Sequence, residues 1–334
     1  MTRDIGRRRF LIRSVQGAAV AAGAGATKVL AAEEKQFRQL PDKSGRAASE
    51  PVSVQRCTNY DPQKLRQRVD KMLDQIGGIG DLVGGKKVTI KLNLVGNQSD
   101  FAGLPAYRTY QVHPSLVATV CAALHDAGAK RIVLVESLFQ RTALADALTS
   151  AGWDLNKIKS AGGQKVDFMD TRNRGEYDSY ATLKVPWGGW LYPSFDVNRA
   201  YEETDVMVSL AKLKDHSAAG VTLGTKNLFG MPPNSLYGDD APSEDATRSR
   251  IQILHFGRKS TPSGVADHLD PNLPNDHRYR VPRVTADLLG ARPVALTIID
   301  GIDSVRGGEG PWIGGVEPIK PDLLLAGRNA VCTD

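Results

Sequence analysis

Residues 113–136 read HPSLVATVCAALHDAGAKRIVLVE, and this stretch decides the fold class. Apolar residues recur at helical spacing over 114–127, with proline at the first helical position and Gly128 as the stop signal. The β-branched run 130–136 then predicts a buried strand. A helix that leads directly into a strand is typical of a crossover unit, so the stretch indicates a parallel sheet covered by helices.

The same alternation extends along most of the chain. Period and composition predict further strands at 52–57, 86–95, 165–169, 206–210, 294–300 and 322–325, and helices at 62–76, 142–151 and around 284–289. Residues 231–282 are dense in Pro, Asp, Ser and Asn and predict a lid or binding loop. The expected fold is α/β, a mainly parallel, doubly wound, Rossmann-like sheet with helices on both faces and long irregular insertions.

The N-terminal residues resemble an export signal. Gly6 to Leu11 have the twin-arginine form R-R-x-F-L, and an Ala/Gly-rich stretch follows at 14–30. We expect a twin-arginine (Tat) signal at 1–31, cleaved after Ala31, then a flexible linker at 32–50 and a single α/β domain at 51–334. The expected location is periplasmic or secreted, the Tat machinery is an expected partner, and the weakly apolar stretch predicts no stable membrane anchor.

The basic charge of the chain belongs mostly to this signal. The whole sequence has 43 basic and 37 acidic residues, and the signal holds six basic residues and one acidic residue. The remainder therefore has 37 basic and 36 acidic residues. A chain so close to neutral gives no support for nucleic-acid binding. Three widely spaced cysteines offer no C-x-x-C pattern, so the chain carries no iron–sulfur motif, and Cys121 is expected to be a buried small hydrophobe.

Polar side chains follow the predicted strands at the points where the strands end. Residues 205–230, DVMVSLAKLKDHSAAGVTLGTKNLFG, run from an apolar strand into a cationic segment. The carboxyl ends of parallel strands share one edge of the sheet, where ligands bind in open α/β folds. The side chains at or just past such ends are Asn93, Glu136, Lys212, His216 and Asp300. If residues 220–228 are helical, Thr222 and Lys226 also lie on one face.

These residue types predict anion binding and proton transfer. The candidate catalytic residues are His216, Lys226 and Lys212, with His216 as a general acid/base and a lysine as nucleophile or Schiff-base former if burial lowers its pKa. The candidate substrate-binding residues are Lys91, Asn93, Lys214 and Asn227. Glu136, Asp300 and His216 could hold a divalent metal, or the carboxylates could move protons. The loop 307–311, GGEGP, lacks the G-K-[ST] ending of a P-loop and is expected to lie beside the site.

Several of these segments resemble the family called domain of unknown function 362. They are the K-L-N of 91–93, the helix start at His113 with D-A-G-A-K-R-I-V-L-V-E-S, K-L-K-D-H…T-L-G-T-K-N-L-F-G, I-I-D-G-I with G-G-E-G-P, and the closing A-V-C-T-D. The resemblance covers residues 52–334. It implies that the last motif leads into a helix, so we expect a longer natural chain with Asp334 as a helix N-cap. Some members carry ferredoxin modules, which this chain lacks, so no electron-transfer role is carried over.

We therefore expect an exported enzyme that acts on a small anionic substrate at the strand ends, with a bound metal or other cofactor. The alternative is a non-catalytic periplasmic ligand-binding or redox-accessory protein.

Overall fold

The computed structural model describes residues 44–172, 179–243 and 245–334. Residues 46–334 form one compact unit. The predicted signal at 1–31 lies outside the described residues. Within the described ranges, the helices are too short or too polar to cross a membrane.

Thirteen strands and nine α-helices are assigned within these ranges. The strands are β1 Val52–Arg56, β2 Lys87–Lys91, β3 Arg131–Glu136, β4 Val166–Asp170, β5 Tyr180–Lys184, β6 Ser194–Asn198, β7 Val206–Lys212, β8 Asp215–His216, β9 Gly220–Val221, β10 Leu296–Gly301, β11 Ser304–Arg306, β12 Glu317–Ile319 and β13 Leu323–Gly327. The helices are α1 Pro62–Gln75, α2 Gly80–Val83, α3 Pro114–Asp126, α4 Leu144–Ser150, α5 Leu155–Ala161, α6 Leu223–Asn227, α7 Asn234–Tyr237, α8 His277–Ala291 and α9 Ala330–Thr333.

Seven strands form the central sheet in the order β1-β13-β10-β7-β2-β3-β4. The ladders from β10 through β7, β2 and β3 to β4 are parallel. Only β13 runs the other way, antiparallel to both β10 and β1. The predicted mainly parallel α/β sheet is therefore confirmed, and the carboxyl ends of its parallel strands meet at one edge.

Helices cover both faces of this sheet. Adjacent residues of β3 alternate between two cores: Leu134 packs with the helices α1 and α3, whereas Val133 packs with α8. Side chains of successive strand residues point to opposite faces, so a strand buried on both sides has a continuous apolar sequence. The unbroken run IVLV in β3 is the signature of this arrangement.

Local capping signals set the starts of the two longest N-terminal helices. Helix α1 begins at Pro62, and Asp61 Oδ1 accepts the backbone N–H of Lys64 at 3.0 Å. Helix α3 begins directly after His113, whose Nδ1 accepts the N–H of Ser115 at 3.1 Å. A side-chain acceptor satisfies one of the free N–H groups at a helix start, which explains why these boundaries match the prediction.

The C-terminal half departs from the prediction at one helix. Helix α8 begins at His277 within the region expected to be irregular, and it continues through Pro282. Proline removes one helical hydrogen bond, and here the N-cap at Asp276 and the buried apolar face maintain the helix. The Asp334 carboxylate accepts the N–H groups of Gly224 and Thr225 at 2.8 and 2.7 Å. Asp334 thereby fastens α6, the helix that carries Lys226.

The three cysteines are unpaired thiols in the structure. Cys121 is fully buried in α3, as predicted, and burial raises its pKa to about 12. Cys57 is also buried. These thiols are packing groups rather than nucleophiles.

Candidate functional site

A cavity of about 650 Å³ opens at the carboxyl edge of the parallel strands. This volume is within the range of small-molecule sites. Residues at or just beyond the ends of β2, β3 and β7 line it, together with α6 and residues from the long insertions. Seven of the nine predicted site residues lie on its wall, namely Lys91, Asn93, Glu136, Lys214, His216, Lys226 and Asn227.

Lys91 and Glu136 form a buried ion pair at the ends of β2 and β3. Lys91 Nζ donates to Glu136 Oε1 at 2.5 Å, and the side chains are 1% and 5% exposed. Glu136 also accepts the N–H of Ser137 at Oε1 and that of Leu94 at Oε2, each at 3.0 Å. Because the two charges match each other, the pair adds no net charge to the cavity.

Asn93 and Asn227 form a hydrogen-bonded relay beside this pair. Asn227 Nδ2 donates to the carbonyl of Lys91 and to Ser209 Oγ, each at 3.0 Å, so Asn227 Oδ1 is left to accept from Asn93 Nδ2 at 3.0 Å. These bonds orient the Asn93 amide, and its buried Oδ1 has no hydrogen-bond partner among the described residues. The relay therefore presents an open acceptor at the cavity wall.

Lys214 connects the cavity to the glycine-rich loop 307–315. Its Nζ donates to the carbonyl of Tyr110 at 2.6 Å and to that of Glu309 at 3.1 Å. Burial lowers the pKa of Lys214 well below its ordinary value, and the nearby Glu309 carboxylate opposes this shift. Glu309 Oε2 also accepts the N–H of Ser217 at 3.0 Å, so the loop is fastened next to His216.

His216 is held as a neutral imidazole. Its Nδ1 accepts the N–H groups of Ala218 and Ala219 at 3.1 and 3.3 Å, so the ring proton must be on Nε2. Burial, followed by the charges of Lys226 and other neighbours, lowers the pKa of His216 far below its ordinary value. His216 is therefore suited to donate a hydrogen bond and not to take up a proton.

Lys226 has a different environment from the other lysines of the site. Its ammonium lies 4.1 Å from the centre of the Phe229 ring, and it makes no hydrogen bond or ion pair with the residues that the structure describes. Burial lowers the pKa of Lys226 to about 7; Glu309 opposes the shift, whereas Arg250 and Lys91 add to it. A substantial neutral fraction of this amine is therefore present near neutral pH.

Arg250 lines the cavity, and the sequence interpretation missed it. It is 4% exposed, its NH2 group donates to Ser137 Oγ at 3.3 Å, and its guanidinium lies 5.5 Å from the Phe139 ring centre. No carboxylate of the described residues forms an ion pair with it. Burial lowers the pKa of Arg250 to about 10, so it remains a cation at neutral pH. Arg250 lies in an aperiodic segment that also contains Arg248 and Arg258, so the sequence has no periodicity that shows which arginine faces inward.

Tertiary packing also brings other unpredicted side chains to the cavity, namely Phe139, His255, His277, Glu309 and Trp312. Burial, followed by the charge of Lys226, lowers the pKa of His255 to about 3. The long insertion and the glycine-rich loop supply most of this set, and both segments were expected to lie beside the site. Their individual residues were not identifiable, because segments without periodicity do not show which side chains face inward.

Lys212 and Asp300 do not line the cavity. They form a fully buried ion pair, with Lys212 Nζ donating to Asp300 Oδ2 at 3.0 Å. Asp300 also accepts the Tyr60 hydroxyl at 2.8 Å and the N–H of His113 at 3.0 Å. Burial, followed by Lys212, lowers the pKa of His113 to about 3, and its ring stacks on Tyr60. This network joins β7, β10 and the start of α3 beneath the site.

The structure does not assemble the predicted metal ligands. Glu136 is occupied by Lys91, Asp300 is occupied by Lys212, and His216 turns its Nδ1 lone pair toward backbone N–H groups. In the described ranges, the His, Cys, Asp and Glu side chains form no group of three or more that could hold a metal ion. Glu136, Asp300 and His216 thus do not fit a shared divalent site.

Comparisons with known proteins give a sequence relative and two solved structures that align with this chain. A thylakoid-associated protein of Synechocystis, sll1697, is 26% identical over 247 residues, which are 72% of this chain and 70% of that protein. The solved lactate racemase apoprotein of Thermoanaerobacterium thermosaccharolyticum aligns with 80% of this chain at a TM-score of 0.41 and 13% identity. A solved protein of Thermotoga maritima aligns with 77% of this chain at a TM-score of 0.37 and 12% identity.

The chain spans about half the length of each of these two solved proteins, 53% in both cases. The sequence profile described as domain of unknown function (DUF362) matches residues 88–334. That match covers both the strand ends and the insertions that build the cavity, and the chain therefore belongs to the DUF362 family.

Proposed function

We propose that this protein is an enzyme that acts on a small organic anion in the cavity at the strand ends. Arg250 holds the anionic group, His216 donates a hydrogen bond from Nε2, and Lys226 is the reacting amine. The observation that carries the proposal is the buried guanidinium of Arg250, which lacks a carboxylate partner among the described residues.

The charge distribution supports an anionic ligand. Four basic side chains line the cavity against two carboxylates. One carboxylate, Glu136, is already matched by Lys91, whereas Arg250 has a pKa of about 10 and remains a cation at neutral pH. Burying a cation without a counter-charge is unfavourable, so an entering anion gains the attraction that the protein leaves unsatisfied. Since the chain without its signal is nearly neutral, this cationic excess is local and favours a discrete anion over a polyanion.

The perturbed amine supports catalysis over simple binding. A lysine used only to hold an anion works best fully protonated, whereas Lys226 has a pKa of about 7. Strongly shifted groups in a cleft are concentrated at sites where protons move or bonds form. Glu136, Asp300 and His216 do not fit as a shared ligand set for the expected metal, and the groups proposed to react are side chains of this chain.

Calorimetric titration with mandelate, a small aromatic carboxylate, tests the binding part of the proposal. Replacing Arg250 with Met should weaken the affinity by about thirtyfold or more, because a buried charged contact to the anion is lost. Arg278, which is exposed on α8, provides the matched control: Arg278→Met should leave the affinity unchanged. Equal affinities for the wild type and both variants would contradict the assignment of Arg250.

The alternative, a non-catalytic binding protein, makes a different prediction about the ligand itself. Metabolite extracts and defined carboxylates incubated with the protein would be compared by mass spectrometry with samples containing a Lys226→Met variant. Conversion of an anion only by the intact protein supports an enzyme. Tight binding with every bound ligand recovered unchanged would favour the binding protein.

We also propose export through the Tat pathway, which rests on the motif at Arg7 and Arg8. Replacing both arginines with lysine should keep the chain in the cytoplasm, while the wild-type chain appears in the periplasm with its N-terminus near residue 32. Export that is insensitive to the double substitution would contradict the proposal.

A further inference from the structure

We propose that Lys226 forms an imine with the carbonyl carbon of an aromatic 2-oxo acid whose carboxylate is held by Arg250. The inference rests on the proposed function and deepens it by naming the substrate class and the bond that forms. The geometry that points to it is an unpaired amine, two unpaired polar groups and an aromatic wall within one cavity.

The Lys226 amine differs from the other buried lysines in its contacts. Lys91, Lys212 and Lys214 each donate at least two hydrogen bonds, whereas Lys226 donates none within the described part of the chain. Its nitrogen instead lies over the face of Phe229, and the residue lines the cavity. A lysine that serves packing or charge balance would have partners like those of the other three. Lys226 is arranged as a free nucleophile.

Two polar groups of the cavity wall are unpaired. Thr222 Oγ1 and Asn93 Oδ1 are buried in the cavity wall and have no hydrogen-bond partner among the described residues. Thr222 immediately precedes α6 and lies one helical turn before Lys226. Leaving such groups unsatisfied is unfavourable, so they indicate a ligand with a hydroxyl or similar group next to the amine. A carbinolamine carries that hydroxyl.

The bond changes balance without a further reagent. The lone pair of neutral Lys226 attacks the carbonyl carbon, a C–N bond forms, and the C=O π electrons move to the oxygen. The nitrogen loses one of its two protons and the oxygen gains one, which gives a neutral carbinolamine. The nitrogen lone pair then forms C=N as the C–O bond breaks, and the second nitrogen proton balances the one that leaves with the hydroxyl as water. Amine and ketone thus give imine and water, with no change in oxidation state.

The walls of the cavity indicate an aromatic ligand. Phe139, Phe229, Phe256 and Trp312 line it, and Arg250 lies 5.5 Å from the Phe139 ring centre. A cavity of about 650 Å³ is much larger than a two- or three-carbon acid requires. A planar ring can pack between these side chains while its carboxylate reaches the guanidinium.

Benzoylformate is the probe for the test, and mandelate is its matched control. Both carry a phenyl ring and a carboxylate, but mandelate has an alcohol in place of the ketone. The full-length protein would be incubated with either compound and sodium cyanoborohydride at pH 7, digested, and mapped by mass spectrometry. At that pH the neutral fraction of Lys226 exceeds that of an ordinary lysine by about a thousandfold, so labelling at Lys226 should exceed that of other lysines by at least about tenfold.

Two variants complete the test. Lys226→Arg keeps the charge and removes the nucleophile, so it should abolish the benzoylformate adduct; Lys64→Arg, on the exposed face of α1, should leave it unchanged. Excess mandelate should suppress the adduct by competition. Adducts spread evenly over surface lysines, or unchanged by Lys226→Arg, would overturn the imine assignment.

Calorimetry separates this failure from a failure of the proposed function. If mandelate and benzoylformate bind in an Arg250-dependent manner and no adduct forms on Lys226, the imine is refuted and the anion site stands. If neither compound binds or reacts, two claims are refuted: that the substrate is an aromatic 2-oxo acid, and that such an anion binds at Arg250.

Discussion

Replacing Asp300 with Asn should destabilise the protein by about 3–5 kcal/mol, because a buried cation loses its counter-charge. Asp300 and Lys212 are both fully buried, and the Asp300 carboxylate accepts hydrogen bonds from Lys212 Nζ, the Tyr60 hydroxyl and the N–H of His113 at 2.8–3.0 Å. Asparagine keeps the shape but removes the charge and one acceptor. The Lys212 ammonium then remains in a low-dielectric environment without compensation.

Urea unfolding of the wild type and the variant, followed by circular dichroism, measures this difference. The matched control is Glu317→Gln, which removes a carboxylate from an ion pair with Arg306 in which both side chains are more than half exposed. That substitution should cost less than about 1 kcal/mol. A double variant, Lys212→Met with Asp300→Leu, should be more stable than Asp300→Asn, because it removes both charges together.

This reasoning would be refuted if Asp300→Asn lowered the free energy of unfolding by no more than Glu317→Gln does. The same variant also tests the location of the site. Since Asp300 does not line the cavity, folded Asp300→Asn protein should bind mandelate with the wild-type affinity. If the variant is fully folded but binds mandelate much more weakly, Asp300 contributes to the functional site.

Three further predictions concern the cavity wall. Lys226 has a pKa of about 7 in the folded protein and an ordinary pKa in the unfolded chain, so its protonation favours the unfolded chain. The free energy of unfolding should therefore rise between pH 7 and 10. Lys226→Met should flatten this rise in urea titrations. Gly230→Ala would place a Cβ 2.7 Å from Lys91 Nζ and 3.1 Å from Glu136 Oε1. It should therefore lower the urea midpoint of unfolding by an amount equivalent to about 1–3 kcal/mol. An unchanged midpoint would contradict the close packing. Asp334→Ala should speed amide hydrogen exchange in α6, since two N–H groups lose their acceptor.

Local sequence signals were sufficient wherever neighbouring residues determine the structure. The proline and N-cap at Asp61, the glycine stop after α3 and the apolar run of β3 act over a few residues, and the corresponding elements begin and end close to their predicted bounds. The continuous apolar strands also predicted a sheet buried on both faces. Helix α8 was placed too late, because Pro282 breaks a local pattern that packing against the second core overrides.

The sequence predicted which edge of the sheet holds the site, but not all of the residues that line it. Parallel topology brings strand ends together whatever their neighbours are, and so Lys91, Asn93, Glu136 and Lys214 reach one cavity. Strand order is not encoded in any single segment. Lys212 lies opposite Asp300 in the parallel register of β7 and β10, and this pairing removes both residues from the cavity.

The sequence by itself determined the fold class, the strand-end location and the cationic character of the site, because these follow from periodicity, topology and residue type. The tertiary structure alone decided which charges are matched. Lys91 and Lys212 each meet a carboxylate, whereas Arg250 and Lys226 meet none among the described residues. An ion pair needs two side chains within a few ångströms, and these partners, 45 and 88 positions apart in the sequence, acquire that proximity only when the chain is folded.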